Sequence, residues 1–85
     1  QSQELFGQAV MVLYSEHNET LKKLLRYCKQ EKWSSHNLTL KEVQLLQSIR
    51  ILDASENVND EARAVVLSEV YEEEGMLWFR GMFDK

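Results

Sequence analysis

The chain contains no proline, three scattered glycines and one cysteine in 85 residues. Proline marks loops and sheet edges and is barred from helix interiors, so its absence favours uninterrupted helical segments. Gly7, Gly75 and Gly81 do not cluster, which excludes a glycine-rich phosphate-cradling loop. Cys28 has no partner for an internal disulfide, so nothing staples the fold covalently, and a reducing compartment, cytoplasm or nucleus, is expected. No apolar run approaches the ~18 residues that a membrane-spanning helix requires.

Soft metal ligands are equally scarce. His17, His36 and Cys28 stand at no ligand spacing from one another, and the acids lack the pattern of a calcium-binding loop. No metal and no cofactor are therefore expected. Cys28 falls on the same helical face as Leu21, Leu24 and Leu25, the position of a buried structural thiol rather than a nucleophile. Glu72, Glu73 and Glu74 are consecutive, so in a helix they point to different sides and form no acid/base pair. The chain reads as a non-enzyme without a small-molecule substrate.

What is present is an ordinary globular composition, 44% apolar and 28% charged. One domain spanning residues 1–85 is expected, and the start at Gln1 points to a segment of a longer protein. The net charge of −4 is polarised: residues 1–52 hold seven bases against five acids (+2), residues 53–85 three against nine (−6). Either the two halves compensate each other or an acidic surface selects a basic partner, and both readings disfavour nucleic acid. Two glycosylation tripeptides, Asn18-Glu19-Thr20 and Asn37-Leu38-Thr39, are explained more simply by helix capping.

Periodicity places the elements. Leu5, Phe6, Ala9, Val10, Leu13 and Tyr14 recur at helical steps, and Met11 and Val12 broaden that stripe to a helix covered on more than one side. Leu21, Leu24, Leu25 and Cys28 form a second stripe opposite Lys22, Lys23, Arg26, Lys29 and Lys32, with Asn18 as a candidate cap. The two stripes can belong to one continuous helix over 3–32, the preferred reading, or to two helices broken near His17. Thr39-Leu40-Lys41-Glu42 is a capping box with a Leu38–Val43 staple, predicting a helix from Leu40 to Ala54 after a polar loop at 33–37. Asn57 or Asn59 caps the next helix, whose first turn carries Asp60 and Glu61. Helix is expected on both sides of Gly75, because three glutamates in a last turn would oppose the helix dipole.

Six of the eight residues in Met76-Leu77-Trp78-Phe79-Arg80-Gly81-Met82-Phe83 are large and apolar, more than one face of a short helix hides. Part of this run should complete the core and part should meet a partner. The fold class expected is all-α, a small antiparallel helical bundle of three long helices, or four if the first breaks near His17. The function expected is a protein–protein interaction module that binds a partner helix or peptide, or forms a homodimer, through Met76, Trp78, Phe79, Met82 and Phe83. Glu72, Glu73, Glu74, Lys22, Lys23, Arg26 and Lys29 are the candidate charged recognition surface. The alternatives are a structural segment of a larger regulatory or scaffold protein, and membrane-surface attachment through the basic helix 21–33.

Overall fold

A computed structural model describes residues 2–29 and 37–80. Among these the chain is mostly helical: α1 (Ser2–Glu16), α2 (Asn18–Cys28), α3 (Leu40–Ser48) and α4 (Asp60–Glu69), followed by a hairpin of β1 (Val70–Glu73) and β2 (Met76–Phe79). The expected loop at 33–37 falls largely outside the described residues, as do Lys32, Trp33, His36, Met82 and Phe83.

The continuous first helix is not what forms. His17 leaves helical geometry at φ −137° and ψ 53°, and the chain restarts as α2. Asn18 does not cap that start; its side-chain amide donates to the Tyr14 carbonyl instead, closing the end of α1. The break lets Val10 and Leu13 on α1 and Leu21, Leu24 and Leu25 on α2 enter one core from different directions. α4 packs against both helices, and the hairpin lies on α4, α2 and α1.

At the start of α3 the capping box is complete. The Glu42 amide donates to Thr39 Oγ1 at 3.1 Å and the Thr39 amide donates to Glu42 Oε1 at 2.8 Å. The helix stops at Ser48, short of the expected Ala54. Arg50 adopts φ +64° immediately past the C-cap, the Ile51 amide donates to the Leu46 carbonyl, and the Arg50 amide donates to Gln47. These paired bonds are those of a Schellman ending, a position that glycine usually fills. Ile51 and Leu52 are thereby turned into the core. The Asp53 carboxylate then accepts from the amides of Ser55 and Asn57, and a bridge between Leu52 and Val58 closes the loop. Asn59 caps α4, accepting from the amides of Glu61 and Ala62.

The largest correction concerns the C-terminal third. Helix was expected across Gly75, but α4 ends at Glu69 and the chain becomes an antiparallel hairpin in which Glu73 pairs with Met76. Glu74 and Gly75 form the two-residue turn, at φ +54° and +79°. Positive φ at both central positions matches the right-handed twist of the strands. Tyr, Val, Trp and Phe flank the turn, and these side chains favour a pleated surface over a helix. The three glutamates thus avoid a helix terminus by leaving the helix altogether.

The turn generates a prediction. Glu74 holds a left-handed conformation that asparagine adopts more readily, so Glu74→Asn should raise stability by about 0.5 kcal/mol. A Cβ at Gly75 would meet no atom within 4 Å, so the cost of Gly75→Ala is conformational, about 1 kcal/mol. Urea denaturation of the two variants should move in opposite directions; equal shifts would contradict the turn geometry.

Candidate interaction surface

Among the described residues, two grouped apolar surfaces lie open to solvent. The first lies along α1, and its lining follows from helical geometry. Leu5, Gln8, Ala9 and Val12, at spacings of three, four and seven, form one wall of a groove of about 620 Å³. Leu45 of α3 and Ile49 at its C-cap form the other wall, Phe6 and Leu13 also line it, and Ser48, Arg50, Asn59 and Glu61 contribute its polar rim. Leu5 is 68% exposed and Val12 49%. Glu4, Gly7, Gln8 and Met11, the adjacent stripe on the same helix, line a second groove of about 390 Å³ against Val65, Glu69 and Phe79. Gln8 belongs to both, so the outer side of α1 is a ridge between two depressions.

The second surface is the outer face of the hairpin. Opposed residues share a face, so Val70, Leu77 and Phe79 point inward and are buried, while Tyr71, Glu73, Met76 and Trp78 point outward. The Arg80 guanidinium lies 4.8 Å from the centroid of the Tyr71 ring. Among the residues expected to meet a partner, Met76 is 59% exposed, Trp78 is half-buried, and Phe79 is sealed at 3% with its ring 5.9 Å from that of Tyr14. Phe79 is thus a core residue, separated from Trp78 by strand alternation rather than by the helical rotation expected. Leu5, Val12, Leu45 and Ile49 were not singled out as contact residues. For Leu5 and Val12 the signal was the breadth of the α1 stripe, too wide for the cover this fold supplies.

Most of the charged surface expected to recognise a partner is occupied within the chain. Arg26 donates from Nε and Nη2 to the Glu72 carboxylate at 3.4 and 3.0 Å, and these hydrogen bonds hold that carboxyl below its usual range. Lys22 lies 3.6 Å from Glu19. Lys23 donates to Glu42 Oε1 at 2.9 Å, and the Thr20 hydroxyl donates to Oε2 at 2.6 Å. Lys29, Glu73 and Glu74 are exposed. The leucine face of the basic helix, which a membrane surface would require, is already buried in the core.

Burial pushes the Cys28 thiol up to about 11, against the opposing pull of Arg63, so it stays protonated at neutral pH. Arg63 donates from Nε and Nη2 to the Cys28 carbonyl at 3.0 and 2.9 Å, placing a cation at the negative end of α2. Among the described residues no group of acids, histidines or cysteines is arranged to hold a metal ion, and no helix is long and apolar enough to cross a membrane. Comparison of the chain with protein-family models, curated proteins and solved structures finds no match.

Glu42 is the titratable group on which α3 is hung. Partial burial pushes its pKa up, but the hydrogen bonds from Thr20, Thr39 and Lys23 outweigh that and bring it down to about 2. A carboxyl depressed in the folded state stabilises the fold above its unfolded value of about 4.5, and that contribution disappears as the pH falls toward 2. Glu42→Gln should cost about 2 kcal/mol at pH 6 and close to nothing at pH 2. Urea midpoints measured at both pH values check this; a deficit independent of pH would show that the charge is irrelevant.

Proposed function

We propose that the protein is a non-enzymatic interaction module that takes an amphipathic helix of a partner protein into the groove between α1 and α3. The observation that carries this is the exposure of Leu5 and Val12 on a helix whose apolar stripe is wider than its own fold covers. A helix apolar on more than one side is normally enclosed, so the uncovered side is where cover is missing. Leu5 and Val12 are seven residues apart, about 10 Å along the axis, which matches two turns of a docked helix. Its i, i+3, i+4 and i+7 side chains would fill the groove. The sealed thiol of Cys28 supports a binding rather than a catalytic role, and the lone cysteine fits an intracellular setting.

A second reading places the contact on the outer face of the hairpin. Met76 and Trp78 favour it, since Trp, Tyr, Met and Arg are enriched at interface centres. Two variants separate the readings. Leu5→Asp with Val12→Asp should leave stability within about 0.5 kcal/mol, because both side chains are exposed, while abolishing binding of leucine-bearing helical peptides. Met76→Asp should leave binding unchanged. Titrations followed by amide chemical shifts give the outcome, and the opposite pattern would move the site to the hairpin.

A further inference from the structure

Gly7 is a glycine that the packing of the fold does not require. It lies inside α1 without a left-handed φ, where glycine costs stability relative to alanine. A Cβ placed on it would meet no atom within 4 Å, so no neighbouring element approaches closely enough to need the missing side chain. Glycine otherwise serves positions where a ligand or another backbone comes close. Gly7 opens onto the smaller depression beside α1, whose lining comes from three elements. Glu4, Gly7, Gln8 and Met11 are one stripe of α1, Val65 and Glu69 stand one turn apart on α4, and Phe79 comes from β2. Met11 is 43% exposed and forms the apolar part of that lining with Val65 and Phe79. The charged residues there are Glu4 and Glu69, and no base accompanies them. Among the described residues neither carboxylate makes an ion pair, whereas Glu19, Glu42 and Glu72 each have a base within 4 Å.

We propose that this depression receives a lysine or arginine side chain of a partner protein. Such a side chain carries methylenes behind a cation, which matches an apolar hollow edged by acids alone. The methylenes lie against Met11 and Val65, the cation faces the carboxylates, and the bare Cα of Gly7 leaves room for entry. The proposal does not rest on the α1–α3 groove, which lies across the α1 ridge and is lined by one acid and one base. An acidic side chain or an anionic lipid surface meets no cation in this lining.

Two capped alanine-based peptides test the proposal, one bearing a single arginine and the other citrulline, which keeps the shape and loses the charge. Titrated into the isotope-labelled chain, the arginine peptide should shift the amides of Gly7, Gln8, Met11 and Glu69 saturably. It should bind roughly fivefold more tightly than the citrulline peptide, the scale of two exposed ion pairs. Glu4→Gln with Glu69→Gln should bring the arginine peptide down to the citrulline level. Gly7→Ala should raise the melting temperature by about 4 °C. Gly7→Leu, which fills the depression, should abolish the arginine-dependent shifts without lowering that temperature. Leu5→Asp with Val12→Asp should leave the arginine peptide bound, which separates this contact from the groove. Equal affinities of the two peptides, no shifts at those amides, or a lower melting temperature in Gly7→Ala would overturn the proposal. Loss of the arginine peptide in Leu5→Asp with Val12→Asp would overturn it too, by moving the contact into the groove.

Discussion

The position of α3 depends on the two oxygens of one carboxylate. Glu42 closes the capping box with Thr39, which any isolated helix could do, but it also accepts from Thr20 and Lys23 on α2. A local device for starting a helix has become a tertiary joint. Those donors fix where α3 begins relative to α2, and Val43 and Leu46 then seat its apolar side in the core. Because Leu45 of α3 and Ile49 at its C-cap form one wall of the groove, the groove itself rests on this joint. Thr20 is buried, and its hydroxyl would lack that partner if the carboxylate were removed, which makes the site sensitive to single substitutions.

Charge is distributed unequally for the same structural reason. Two bases of α2 find acids on α3 and β1 within hydrogen-bonding distance, and of these pairs Arg26–Glu72 joins the basic half of the chain to the acidic half.

Much of the helical content is legible in the residues alone, and the places where it is not share a physical cause. Thr39 and Glu42 announce their helix because capping chemistry is local, and Asn59 with Asp60 and Glu61 does the same for α4. The end of α3 is hidden because Arg50, rather than glycine, takes the left-handed position; only the tertiary gain of burying Ile51 and Leu52 favours it. The hairpin is hidden because Met76, Leu77, Trp78 and Phe79 are all apolar, so no alternation marks a strand, and Glu74-Gly75 is a weaker turn signal than Asn-Gly. The groove was half legible: the width of the α1 stripe was plain, but which part stays uncovered depends on where α3 and α4 settle. Phe79 was placed at a contact surface by a helical rotation that the strand does not have.

Arg63 ties the end of α2 to a side chain 35 residues further along the chain. During synthesis, then, the second helix emerges before the group that satisfies its last carbonyl exists, and its final turn remains provisional until α4 arrives. The core, too, is shared between α1, α2 and α4, so the two halves of the chain pack as one unit.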